Sequence, residues 1–82
     1  MKTNDLKKGT RILLRNDWQA DLMDNMKGNT RFANVFGDFN EMGSVYSHDI
    51  VGRQDADGNW HQDIEYTPAQ LKLRKTISAM GW

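Results

Sequence analysis

Apolar and polar positions alternate along most of this chain, and the period changes near its end. Residues 10–66 hold short two-residue rhythms broken by Gly, Asn and Asp, which predicts strands joined by turns. In the first predicted strand, 10–15, Ile12 and Leu14 share one face, with Arg11, Leu13 and Arg15 on the other. Asn16-Asp17 is a turn pair that tolerates left-handed backbone. In the second, 18–24, Trp18, Ala20 and Leu22 share a face, and residues 25–29 make the next turn. The third, 30–36, sets Phe32 and Phe36 against Ala33 and Val35; a strand apolar on both sides is central or sits at a corner. Residues 37–43 read as a loop carrying Phe39 and Met42, a fourth strand begins at 44–46, and His48-Asp49-Ile50 reads as a tight turn. Strands at 51–54 and 60–66 flank Asp55-Ala56-Asp57-Gly58-Asn59, whose Asp-Gly pair is the strongest hairpin signal in the chain.

The helical segment, 67–80, is marked at its start. Thr67 suits the N-cap, Pro68 the first helical position, and Gln70 stands three residues after the cap, which is the capping-box pattern. Ala69, Leu73, Ile77 and Met80 then form one apolar stripe, with Lys72 and Lys75 off it and Gly81 a suitable stop. The expected fold is therefore α+β: a single domain over 1–82, β-rich to residue 66, with a C-terminal helix.

Composition narrows the classes. The chain has no cysteine, so disulfides and thiolate metal sites are excluded and a reducing cytoplasm fits. The first residues lead into no apolar run, which argues against a signal peptide. The longest apolar run is Ile12-Leu13-Leu14, far short of the ~20 residues that a membrane helix needs. The expected location is the cytoplasm, with no membrane partner.

Net charge is zero but arranged in blocks: +4 over residues 1–16, −3 over 17–45, −4 over 46–66 and +3 over 67–82. Nonspecific DNA binders show an overall basic footprint, which this chain lacks.

Leu6, Gly9, Ile12, Leu14 and Ala20, followed by Gly28 and a further strand, are spaced as in the leading strands of KOW- and Tudor-type barrels. Over residues 6–54 the chain thus resembles the SH3-like small β-barrel. The resemblance implies a small antiparallel barrel or curled sheet that binds peptide, protein or nucleic acid through loop aromatics. In its compact, charge-blocked format the chain also resembles small phage-encoded accessory proteins. That likeness implies an inhibitor or adaptor that occupies a host or phage protein, as anti-CRISPR inhibitors evade host defence.

No catalytic set accompanies this layout, and the chain is expected not to be an enzyme. His48-Asp49 and His61-Gln62-Asp63 lack the third and fourth ligands and the spacing of a zinc site, so the histidines are read as surface or turn residues. Asp55–Asn59 departs from a calcium loop: Gly58 comes two residues early and position twelve of the frame is Tyr66. No metal or cofactor is expected.

The aromatics are more informative. Trp18, Phe32 or Phe36, and Tyr46 are assigned to the core; Trp60 beside the hairpin turn and Phe39 in its loop are the candidates for an exposed contact surface; and Trp82 is expected to fold back or anchor a self-contact. With the surrounding acids they make an acidic aromatic face of Asp38, Phe39, Glu41, Asp55, Asp57, Trp60, Asp63 and Glu65. Such a face suits the basic, nucleic-acid-binding surface of another protein, because its carboxylates carry the charge that such a surface attracts. The alternative reading is nucleic-acid binding by Lys7, Lys8, Arg11, Arg15, Lys72, Arg74 and Lys75, should the first strand and the helix lie side by side. The separation of these cations from the aromatics counts against it.

Overall fold

A computed structural model describes residues 1–79, the side chain of Ser78 apart. In chain order it holds a 3-10 turn (Thr3–Asp5), β1 (Arg11–Leu14), β2 (Gln19–Leu22), β3 (Thr30–Phe36), β4 (Asn40–Tyr46), a second 3-10 turn (Ser47–Asp49), β5 (Ile50–Gln54), β6 (Trp60–His61) and α1 (Pro68–Ala79). The strands form one antiparallel sheet in the order β4-β3-β2-β1-β5-β6.

The α+β composition and the C-terminal helix match the sequence reading, but the SH3-like barrel does not. The sheet is open, neither closed nor strongly curled, with β4 and β6 as its two edges. Among the described residues no ladder joins those edges. The physical reason is that spacing specifies strands and turns, whereas closure depends on which edges pair. Here β5 adds to the free side of β1 and carries β6 outward, so the sheet widens.

Local chemistry explains the turns. Asp17 lies at φ 70°, the left-handed conformation that the Asn16-Asp17 pair predicts, and the Asn16 side chain accepts from the Trp18 N–H at 3.2 Å. In the β5–β6 hairpin Gly58 has φ 86°, and Asp55 Oδ1 accepts the N–H groups of Asp57 and Asn59, both at 2.9 Å. The loop expected at 37–43 is shorter than its composition suggests. β4 begins at Asn40 and pairs with β3 without a break from Phe36↔Asn40 to Thr30↔Tyr46. Its Gly43 and polar residues disguise a strand. The strand expected at 60–66 shrinks to Trp60–His61, because the chain then turns to pair with the N-terminal segment through Lys2↔Glu65.

Alternation assigns the faces. Ile12, Leu14, Ala20, Leu22, Ala33 and Ile50 line one face and are buried with Leu6; Val35, Val45 and Ile64 pack against them. Each fully buried Leu or Ile contributes about 1.5–3 kcal/mol. The core is thus aliphatic, and the aromatic core expected from sequence is corrected: Trp18, Phe32 and Tyr46 are exposed and Phe36 is half-buried.

The capping box forms as expected. Gln70 Oε1 accepts the Thr67 N–H at 3.0 Å and Thr67 Oγ1 accepts the Gln70 N–H at 3.2 Å. The helix turns Leu73 and Ile77 inward as expected, but its first turn differs. Ala69 is exposed, while Gln70 is fully buried and Leu73, Arg74 and Ile77 are half-buried behind it. Gln70 Nε2 donates to Thr3 Oγ1 at 2.8 Å and to the Gly28 carbonyl at 2.9 Å, which ties the first turn of α1 to the N-terminal segment and the β2–β3 loop. Met80, Gly81 and Trp82, to which the sequence assigns the end of the stripe, the stop and a self-contact, lie outside the described residues.

Candidate functional site

The core face of the sheet is not covered throughout. Between the β1–β2 turn and β4 lies an open groove of about 400 Å³, lined by Leu14, Trp18, Val35, Val45 and Tyr46, with Arg15, Glu41 and Asp49 as its charged groups. The pairings Ala20↔Val35 and Val35↔Glu41 explain why a strand-borne carboxylate stands beside apolar side chains: all three occupy the same face. Trp18 is set by the Asp17 turn and lies against Gly37. A Cβ at Gly37 would stand 2.5–2.7 Å from the indole ring, so only glycine leaves the ring in place. The hairpin tip therefore adjoins the groove, and Phe39 on that tip is the most exposed large hydrophobic residue described, at 77 %.

The floor of this end is built around charge. Arg15 pairs with Asp49 Oδ1 at 3.0 Å, although that oxygen lacks a hydrogen bond of good direction. His48 is fully buried, stacked on Tyr46 with ring centroids 4.9 Å apart, and neither of its ring nitrogens has a hydrogen-bond partner. Its burial pushes its pKa down; Asp49 opposes that shift, while Arg15 and Arg74 reinforce it. The expectation of a surface or turn histidine is half corrected: His48 lies in a turn but inside the protein.

The acidic aromatic set does not assemble into one surface. Asp38, Phe39 and Glu41 belong to the β3–β4 hairpin, whereas Asp55, Asp57 and Trp60 belong to the β5–β6 hairpin, and these hairpins carry opposite edges of the sheet. Asp55, and with it Asp63 and Glu65, is also committed internally. Asp55 Oδ2 meets His61 Nε2 at 2.7 Å, which together with its turn hydrogen bonds holds the carboxyl down at about 2. Asp63 takes a two-pronged bond from Arg53 at 3.0 and 2.8 Å, which holds it at about 2 as well. Glu65 lies 3.8 Å from the N-terminal ammonium. Among the described residues Asp38, Glu41 and Asp57 form no ion pair.

The cations are divided as well. Lys7 and Lys8 precede β1, on the side of the β5–β6 hairpin, where Lys8, Arg11 and Asp55 border one shallow cleft. Arg11 is paired with Asp21 and stacks 4.8 Å over Phe36 on the outer face. Arg15 is held by Asp49 at the other end of β1, and Arg74 acts on the same His48. Lys72 and Lys75 are exposed on α1.

Sequence reasoning missed Trp18, Val35, Val45 and Tyr46 as site residues, because alternation marks an apolar face without showing where that face is left uncovered. The available signal was local: a tryptophan directly after a left-handed turn, with glycines at 37 and 43. Comparison with protein-family models, curated proteins and solved structures finds no match to this chain.

Proposed function

We propose that this chain is a non-enzymatic protein-binding module whose contact surface is the groove on the sheet face together with the β3–β4 hairpin. The observation that supports the reading best is the apolar groove bounded by Trp18 and Tyr46, with the exposed Phe39 on the hairpin tip that adjoins Trp18. Aromatic anchors of this kind carry much of the energy of protein interfaces. Among the described residues Asp38 and Glu41 form no ion pair, so the fitting partner presents basic and apolar side chains together, as a nucleic-acid-binding surface of another protein does. The dispersed and partly paired cations favour nucleic acid less.

The test is a peptide-display selection on the purified protein, followed by titration of the selected peptides. Lys- or Arg-rich apolar peptides should emerge, and Phe39→Ala or Trp18→Phe should weaken them at least about fivefold with the fold intact. Oligonucleotide binding tighter than about 1 µM at physiological salt, abolished by replacing Lys7, Lys8, Lys72 and Lys75, would establish the nucleic-acid reading instead.

A further inference from the structure

An edge strand is a template for another strand unless something blunts it: shortness, proline, lysine, a bulge or a covering segment. One edge of this sheet is blunted, since β6 has two residues. The other is not. β4 is seven residues long, contains no proline or lysine, and pairs with β3 in continuous register.

Two hydrogen bonds reveal which of its groups are free. The Ser47 N–H donates to the Asn29 carbonyl at 2.8 Å at one end of the ladder, and the Gly37 N–H donates to the Phe39 carbonyl at 3.3 Å at the other. They make Thr30↔Tyr46 and Phe36↔Asn40 widely spaced pairs, and alternation extends this to Phe32↔Ser44 and Asn34↔Met42. Glu41, Gly43 and Val45 therefore bond to β3, while Asn40, Met42, Ser44 and Tyr46 turn their N–H and C=O groups outward. Among the described residues none of these four N–H groups finds a partner.

We infer that the β4 edge pairs with the β4 edge of a second copy of this chain, antiparallel and about a two-fold axis at Gly43. The strand is self-complementary in that register. Asn40 lies opposite Tyr46, Met42 opposite Ser44, and Gly43 opposite itself. The outward residues fall in the positions that exchange hydrogen bonds, and the small Gly43 sits where the strands approach most closely. The only charge on the strand, Glu41, meets Val45, so no like charges oppose each other. The net charge of zero adds no long-range repulsion between copies. Each face of the two sheets continues across the seam, because paired residues share a face, and the exposed Met42 and Tyr46 gain cover there. A single strand edge falls below the roughly 1,200 Å² of a standard interface, the range of weak, concentration-dependent contacts.

Sedimentation of the full chain should show a reversible shift from 9.5 kDa toward twice that mass as concentration rises to about 0.5 mM. Hydrogen exchange adds a signature specific to this seam. Amides of Met42, Ser44 and Tyr46 should gain protection with concentration, while those of Gly43 and Val45 are protected throughout. Ser44→Lys places a cation on the edge, and Ser44→Pro removes an outward N–H without touching the β3 ladder. Each should weaken the dimer at least about tenfold with circular dichroism unchanged, whereas Phe39→Ala, outside the seam, should not. A chain that stays monomeric to about 0.5 mM, or a dimer that tolerates Ser44→Lys in a folded chain, overturns the proposal. A monomer that nonetheless protects the same amides on adding a foreign peptide would assign the edge to another protein's strand.

Discussion

A guanidinium removed from water costs several kcal/mol unless its protons find acceptors, and Arg31 is 1 % exposed. It donates to Asp24 Oδ1 at 2.7 Å and to the carbonyls of Asp24, Thr3 and Leu6 at 2.7, 3.0 and 2.8 Å. Asp24 in turn accepts from the Phe32 N–H at 2.8 Å, and these bonds hold its carboxyl below the usual range against the desolvation that would raise it. One side chain thus joins β3, the β2–β3 loop and the N-terminal turn. Arg31→Ala should cost about 3–5 kcal/mol by urea denaturation, since it empties a buried site and takes the cation from the half-buried Asp24 and the donors from several carbonyls; a loss under about 1 kcal/mol would refute that role. His48 gives a pH dependence. Its folded-state pKa lies below the unfolded value of about 6.5, so between those values the unfolded chain binds more protons and stability falls as pH falls. Above about pH 7 this contribution is complete and flat. Urea midpoints should drop from pH 7.5 to pH 5, and His48→Gln should flatten that slope; identical slopes would discount the histidine. Neither residue was legible in the sequence. A lone Arg in an apolar strand and a His in a turn are assigned to the surface by default, and their partners are loop groups that no periodicity marks.

The helix shows how far local chemistry can be read. Thr67, Pro68 and Gln70 specify its start, and the hydrogen bonds of the capping box follow. Only the start of the buried face was misassigned, Ala69 for Gln70, because a periodicity count scores Gln70 as polar. Its amide is in fact satisfied twice over, by the cap and by Thr3 and Gly28. The two roles can be separated. Thr67→Ala should cost about 1 kcal/mol, the ordinary loss of a cap. Gln70→Ala should cost about 2–3 kcal/mol, because it also strands a buried hydroxyl and a carbonyl. In a domain of this size the gap corresponds to roughly 4–8 °C in Tm per kcal/mol. Equal losses would reduce Gln70 to a capping residue. Leu73 and Ile77 are half-buried, so each truncation should cost about half the 2–5 kcal/mol of a fully buried side chain. Among the strands, β1 to β3 and the β5–β6 turn were legible because two-residue alternation and Asp-Gly chemistry are local. β4 was legible only in its last residues, 44–46, because the regularity of 40–43 comes from the partner strand.

Sheet order and the division of charge between opposite edges are properties of long-range pairing, which is why neither the open architecture nor the split of the acidic set could be read from the chain. That split sharpens the functional test. Were the acidic face one surface, charge reversal at either hairpin would disturb association equally. With Glu41 lining the groove and Asp38 on the same hairpin, and Asp55 tied to His61 at the other edge, the effects should differ. Asp38→Lys with Glu41→Lys should slow association with a basic partner peptide and reduce its salt sensitivity, because charges at an interface rim act chiefly on encounter. Screening at physiological salt confines that influence to ~8 Å, so the opposite edge contributes little. Asp57→Lys and Trp60→Ala should leave both the rate and its salt dependence unchanged. Stopped-flow rates across a salt series measure this directly, and a response to the β5–β6 variants as large as that to the β3–β4 pair would move the contact surface away from the groove.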